Sequence, residues 1–270
     1  MVCFPNCKIN LGLHITGKRP DGFHALETVF YPVALTDMLE IISATSLSFQ
    51  STGLSIPGTA DNNLCLKAYQ LLKKDFPELP PVKMHLHKTI PMGAGLGGGS
   101  ADGAFALQLL NNKYKLELGK EQLIQYAAQL GSDCPFFILN QACYATGRGE
   151  ILEPIALDLS AWHFVLVNPG IHVNTKWAFE QITPGSSGKD LKAIMQLPVE
   201  NWKEQLSNDF EAPIAKAYPA IQEIKDRLYQ LGASYAAMSG SGSTLFGLFK
   251  AKPEASIREA FKESNVYLIS

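Results

Sequence analysis

Long apolar runs are missing from this 270-residue chain, and no stretch approaches the length of a membrane span, so a membrane protein is not expected. The N-terminus shows neither the basic nor the apolar region of a secretory signal peptide, which makes a cytoplasmic protein the expectation. Charge is scarce, at 18% of residues, and nearly balanced, with a net of -2. That balance carries no polyanion-binding signature and argues against nucleic acid as a partner. Cysteine is also sparse: Cys3, Cys7, Cys65, Cys134 and Cys143 are odd in number and contain no CxxC pair. A disulfide framework is therefore not expected, and reduced thiols, mostly in the core, are. His85 and His87 share a strand face, yet no carboxylate or thiol stands close by in sequence to complete a metal site, so exposed strand histidines are expected. Repeats at solenoid periods are absent too. What the chain does have is apolar residues, 46% of the total, enough for two domains with ordinary cores.

It also has one concentrated glycine stretch. Between Pro91 and Ala104 five glycines fall within seven positions, Gly93, Gly95, Gly97, Gly98 and Gly99, and a helix-forming run follows at once. Such a loop can turn its backbone N–H groups inward around an anion, and the helix behind it adds the positive end of its dipole. Flexible linkers are polar on both sides. This one lies between an alternating run (Val82, Met84, Leu86) and an apolar helix, so a phosphate site is predicted. Gly93-x-Gly95-x-x-Gly98 matches a dinucleotide fingerprint, but Pro91 interrupts the exit from the preceding strand and ninety residues come first. A Walker loop would need a lysine where Gly99 stands. Neither standard loop fits.

The longer pattern, Pro-x-x-x-Gly-Leu-Gly followed by small residues, resembles the phosphate loop of the galactokinase, homoserine, mevalonate and phosphomevalonate (GHMP) kinases. The resemblance implies that Pro91, Met92, Gly93, Ala94, Gly95, Leu96, Gly97, Gly98, Gly99, Ser100 and Ala101 hold ATP. Upstream, Cys7, Ile9, Leu11, Leu13 and Ile15 alternate with Lys8, Asn10, Gly12 and His14, which predicts a strand. Spacing alone would turn Lys8 and Asn10 to solvent. Asn6 to Leu13, however, is similar to the first GHMP motif, whose polar face lines the active site. The turn Thr16 to His24 is rich in turn-forming residues, and Leu26 to Val33 reads as a return strand. Arg19-Pro20-Asp21-Gly22-Phe23-His24 resembles a single branch of the superfamily, the kinases acting on diphosphocytidyl-methylerythritol. This implies that Phe23 and His24 border the cytosine, a stacking contact worth roughly 1 to 3 kcal/mol.

Asp61-Asn62-Asn63-Leu64 reads as a helix cap. By resemblance Asn63, Leu64 and Lys88 also lie near the adenine. Lys120 to Leu130 is a predicted helix that Gly131 stops. Asp133, just before Cys134-Pro135-Phe136-Phe137, could be no more than the N-cap of a short helix. The same stretch resembles the one that carries the family's catalytic aspartate, which implies Asp133 and Lys8 as the catalytic pair. Texture changes after Pro154, so domains of 1–153 and 154–270 are expected. His163 to Val167 is a predicted core strand, and Val173 to Phe179 opens a helix capped by Asn174 or Thr175. The resemblance places Thr175 and Phe179 on the cytidine side and leaves Trp177 to packing. Thr183 to Lys189 reads as a surface loop, Tyr218 to Leu231 as an amphipathic helix, and Val266 to Ile269 as a last strand. Between the last two, Ala237 to Phe249 matches the third GHMP motif, which implies that Gly240 and Ser241 close over the phosphate loop.

Strands and helices do not alternate strictly, so the class is α+β. The resemblance implies an N-terminal domain like ribosomal protein S5 domain 2 and a ferredoxin-like C-terminal domain. It further implies transfer of the ATP γ-phosphoryl to the 2-hydroxyl of the methylerythritol unit, with Asn10 orienting substrate oxygens. Mg2+ is expected with the ATP. Many relatives carry a serine hydroxyl where Gly98 and Gly99 stand here, so the protein ligand of the metal is left open. Partners are expected to be small molecules, and the chain a monomer or weak homodimer. A mevalonate-type kinase, a dinucleotide-dependent oxidoreductase and a nucleotide-binding regulator without catalysis stay as alternatives at this point.

Overall fold

The alternation that begins at Cys7 becomes one long strand. The computed structural model describes residues 1–59, 62–185 and 190–269. Asp61 of the expected cap and residues 186–189 of the expected surface loop lie outside the described residues. In chain order the elements are β1 (Val2–Cys3), β2 (Asn6–Lys18), β3 (His24–Thr36), β4 (Met38–Ser43), β5 (Ser48–Gly53), α1 (Leu64–Asp75), β6 (Val82–Lys88), α2 (Gly98–Tyr114), α3 (Lys120–Leu130) and α4 (Cys134–Leu139). There follow β7 (Cys143–Thr146), β8 (Ile151–Pro154), β9 (His163–Asn168), α5 (Thr175–Glu180), α6 (Leu191–Met195), α7 (Glu211–Ala217), α8 (Ala220–Gln230), β10 (Tyr235–Met238), β11 (Leu245–Phe249) and β12 (Asn265–Ile269). The order is that of an α+β protein.

By packing, the chain forms two units. The first comprises Met1–Lys8, Ala34–Met92 and Gly97–Gln141, and the second Ile9–Val33, Gly93–Leu96 and Ala142–Ser270. A boundary at 153/154 falls at the end of β8, whereas the packing division cuts the chain several times. Its reason is strand length: β2 and β3, at 13 residues each, contribute to both units.

The first unit contains a sheet of order β1-β4-β6-β5, with β4 antiparallel to β1 and β6, and β5 parallel to β6. Strand β6 keeps a strict period of two, so Val82, Met84 and Leu86 are buried while Lys83 and His87 face out. The same period carries Lys88 inside. Helix α1 starts where Asn63 caps it, its side chain accepting the Cys65 N–H at 2.9 Å. Such a cap contributes about 1 kcal/mol. Cys65, Leu66, Ala68, Tyr69 and Leu72 form its buried stripe. Helix α2 buries Ala101, Ala104, Leu107 and Leu110 among others, as the apolar run after the glycines predicts.

The second unit has two sheets, of order β2-β3-β7-β8 and β10-β11-β9-β12. In the latter every pairing is antiparallel. One core joins Val165 and Val167 of β9 to Leu245 of β11 and to Ile221, Ile224 and Leu228 along α8. Burying each such side chain contributes about 1.5 to 3 kcal/mol. Strand β2 differs from the outer strand that spacing alone suggests: Lys8, Asn10 and His14 are as buried as their apolar neighbours.

Candidate active site

In the first unit, Asp133 stands at the N-cap position of α4 but does not cap it. Its backbone is helical (φ -84°, ψ -15°), and its carboxylate makes no cap hydrogen bond. The side chain instead lies 3.8 Å from Lys8 Nζ. Lys8 is nearly enclosed, with 5% of its side chain exposed, whereas Asp133 keeps 34% exposed. Burial pushes the Lys8 ammonium below its ordinary range, and the charge of Asp133 pulls against that shift. Gly97 lies across the Lys8 stem: a Cβ there would be 3.0 Å from the Phe137 ring and 3.2 Å from Lys8 Cε, and its φ is +70°. Only glycine suits such a place. Helix α2 then begins at Gly98 with no side-chain cap, leaving its first turn to offer N–H groups to an anion. The Ser100 hydroxyl hydrogen-bonds the Cys134 thiol.

Behind the loop, Lys88 sits between Asp37 and Asp102. Its ammonium hydrogen-bonds both carboxylates, Asp102 at 2.6 Å, and none of the Lys88 side chain reaches solvent. Asp37 also accepts the N–H groups of Thr89 (2.6 Å) and Ile90 (2.9 Å), which ties the exit of β6 to α2 through one cation. Burial works against the Lys88 charge, but Asp102 and Asp37 outweigh it and hold the ammonium above its usual range. Burial, helped by the charge of Asp37 and opposed by Lys88, pushes Asp102 up to about 7. With its ammonium enclosed, Lys88 can meet a nucleotide only through its backbone, whose carbonyl already accepts the Leu54 N–H at 2.8 Å.

In the second unit, Gly93–Leu96 meets the third motif. Ser239 Oγ donates to the Gly95 carbonyl at 2.8 Å, and the Thr244 N–H donates to the Ala94 carbonyl at 3.2 Å. Gly95 has φ +80°, and a Cβ there would collide with the Ser239 carbonyl. Asn10 joins the same cluster, donating its backbone N–H to Ser239 Oγ at 3.3 Å and its side-chain amide to Thr28 Oγ1 at 3.0 Å. Ser241 Oγ lies 3.4 Å from Thr175 Oγ1, at the start of α5, where Asn174 is the cap.

The aromatic residues split into two groups. His24 stacks on Phe179, ring centroids 4.9 Å apart and planes 15° from parallel, and Phe210 meets Phe179 edge-on at 4.9 Å. Phe23 is exposed and lies 4.9 Å beneath the Arg148 guanidinium. Trp177 packs edge-on against Tyr218.

The run Asn208-Asp209-Phe210-Glu211 escaped the reading of the sequence. Buried Asn208 donates its side-chain amide to the carbonyls of Met238 (2.9 Å) and Gly240 (2.8 Å) and accepts the Phe210 N–H at 3.0 Å. Asp209 accepts the Ile15 N–H at 2.7 Å and faces His14 Nδ1 at 3.3 Å. Burial would raise its carboxyl, but those contacts hold it below the usual range. Glu211 accepts the Met238 N–H and a Lys225 ammonium hydrogen, each at 2.5 Å. Among the described residues, no group of three or more His, Cys, Asp or Glu side chains is placed to hold a metal.

Comparison with known proteins accounts for this arrangement. Residues 63–141 match the family model for the GHMP kinases N terminal domain, and residues 177–266 the one for the GHMP kinases C terminal. The chain is 53% identical over 261 residues to a 4-diphosphocytidyl-2-C-methyl-D-erythritol kinase of Bacteroides fragilis, covering 95% of this chain and 94% of that protein. It is 50% identical over 255 residues to the Cytophaga hutchinsonii kinase of the same name, covering 94% of each. A crystal structure of 4-(cytidine 5'-diphospho)-2C-methyl-D-erythritol kinase superposes with a TM-score of 0.87 at 32% identity, over all of this chain and 98% of the other. Methanococcus jannaschii mevalonate kinase shares the fold alone, with a TM-score of 0.73 at 13% identity, over 99% of this chain and 97% of that one. Fold and site thus define an ATP-dependent small-molecule kinase of the GHMP class. Within it, the chain belongs to the 4-diphosphocytidyl-2-C-methyl-D-erythritol kinase family.

Proposed function

We propose that this kinase transfers the γ-phosphoryl group of ATP to the 2-hydroxyl of 4-diphosphocytidyl-2-C-methyl-D-erythritol, a step of the non-mevalonate route to isoprenoid precursors. The observation that carries the reading is the Lys8–Asp133 pair, an enclosed ammonium beside a part-exposed carboxylate that capping does not occupy. Asp133 accepts the hydroxyl proton as the oxygen attacks phosphorus, and Lys8 steadies that carboxylate and the charge gathering on the transferring group. Asn10 orients substrate oxygens.

Pro91 to Ala101, with Gly240 and Ser241, hold the ATP phosphates, while Asn63, Leu64 and the Lys88 backbone border the adenine. The support is the glycine backbone, packed too closely for a Cβ at Gly95 and Gly98, and the absence of a side-chain cap on α2. Phe23, His24, Thr175 and Phe179 receive the cytidine. Mg2+ bound with ATP would supply neutralisation of phosphate charge. Hard oxygen donors would suit it, and the Ser100 hydroxyl, which hydrogen-bonds Cys134, would be such a donor. The two family regions are taken as 1–153 and 154–270, supported by matched ranges that fall on either side of that point. A cytoplasmic location and a monomeric or weakly dimeric state complete the reading.

The test is ADP release from MgATP by the purified protein, with diphosphocytidyl-methylerythritol offered beside mevalonate, phosphomevalonate and homoserine. Release with the cytidine compound alone is expected. Preference for another alcohol would remove the roles of Phe23, His24 and Phe179 and leave the phosphate loop standing.

A further inference from the structure

Four consecutive residues, Asn208 to Glu211, reach separate parts of the second unit, and none of them has a place in the reaction described above. Asn208 directs both amide hydrogens to backbone carbonyls of the third motif, at Met238 and Gly240. Glu211 takes the N–H of the same Met238, so the strand leading into that loop is held on its N–H and C=O sides from one short segment. Between them, buried Phe210 packs perpendicular to the Phe179 ring on which His24 stacks. Asp209 binds the backbone of β2 at Ile15.

We infer that Asn208–Glu211 is a positioning segment: Asn208 and Glu211 set the Ser239–Thr244 loop for the ATP phosphates, and Phe210 sets Phe179 for the cytosine. This deepens the proposed function and rests on it. The physical case lies with the loop backbone. Gly240 and Gly242 have φ of +57° and +83°, so the loop is built from residues with the widest conformational choice. A loop of that kind keeps one shape only where its carbonyls are pinned. A buried amide with both hydrogens used does this, and buried carbonyls that lose such donors cost more than the bonds are worth when formed. Phe179 has an analogous need, because an edge-on ring behind it fixes the plane in which it can present its face. None of the four residues need touch a substrate.

The assay measures kcat and both KM values, for MgATP and for diphosphocytidyl-methylerythritol, in wild type, N208A and F210L. N208A is expected to raise the KM for MgATP about tenfold, the loss of about one well-made hydrogen bond to a buried group. Its KM for the cytidine compound should stay within about twofold. F210L is expected to do the reverse, because the ring it removes packs against Phe179 and not against the third motif's loop. Damage to the scaffold as a whole would lower the Tm of both variants and move both constants together, or neither, and that result overturns the inference. A second measurement needs no variant. Hydrogen exchange of the wild type with and without a non-hydrolysable ATP analogue should show the amides of 208–211 and 239–244 gaining protection together. Protection of 239–244 with no change at 208–211 overturns the inference while the phosphate-loop reading stands. Failure of the wild type to bind the analogue overturns both.

Discussion

Asp133 and Lys88 are two charged residues with opposite relations to stability. Asp133 is a third exposed and caps nothing, so D133N is expected to lower kcat by about 10²- to 10⁴-fold, the ordinary worth of a positioned proton acceptor, while Tm shifts little. Steady-state turnover beside a thermal melt checks this, and a D133N protein with normal kcat would remove Asp133 from the mechanism. Lys88 is the reverse case. K88M leaves Asp37 and Asp102 buried without their cation, and breaking such a pair costs about 3 to 5 kcal/mol, visible as a clear drop in Tm. Asp102 adds a dependence on pH. Its carboxyl lies at about 7 in the fold against 3.8 ordinarily, so between about pH 4 and 7 the folded chain binds the extra proton. Stability from this group is therefore present at the acid end of that window and lost as pH rises through it. An asparagine has no such slope. The Tm of D102N should gain on that of wild type from pH 5 to pH 8, and parallel curves would show that Asp102 does not titrate there.

At the scale of elements, the segment Gly93–Leu96 is sensitive to a single methyl group. G95A places a Cβ against the Ser239 carbonyl at a φ of +80°, so the paired loops of the second unit must part. A large rise in the KM for MgATP is expected, at least tenfold, and a G95A protein with unchanged KM would show that this contact does not shape the phosphate site. How much of the site the sequence made legible follows from the same distinction between local and distant causes. Glycine spacing is a local pattern and led to Gly95, whereas Lys8 and Asp133 came from the resemblance of their motifs, since spacing alone left the one on a solvated face and the other as a helix cap. Lys88 came from the resemblance alone, and the residues that receive its ammonium, Asp37 and Asp102, are set by tertiary packing and left no mark. Asn208 to Glu211 carry no motif or periodicity of their own. Their partners at residues 15, 179 and 238 to 240 lie far off in sequence, and no periodicity links them.

For the whole molecule, the thiols summarise the packing. Cys7, Cys65, Cys134 and Cys143 are buried and Cys3 is partly covered, with no disulfide among them. Burial pushes Cys3, Cys7 and Cys134 up to about 12 and Cys65 well above its usual value. Because the thiolate is the reactive form, a disulfide reagent at pH 8 should label the native chain slowly and all five thiols after denaturation. Rapid labelling of the native protein would show that the core opens. At this scale two 13-residue strands, β2 and β3, contribute to both packing units. The contact between His24 and Phe179 has a meaning for the molecule as a selector of ligands. Two rings 4.9 Å apart leave no layer for a third, so under the proposed function a base entering between them must first part them and replace their mutual attraction. On that reading the ring contact is a rival to the base: a flat heteroaromatic group can win the exchange, whereas a plain aliphatic alcohol has no face to offer in return.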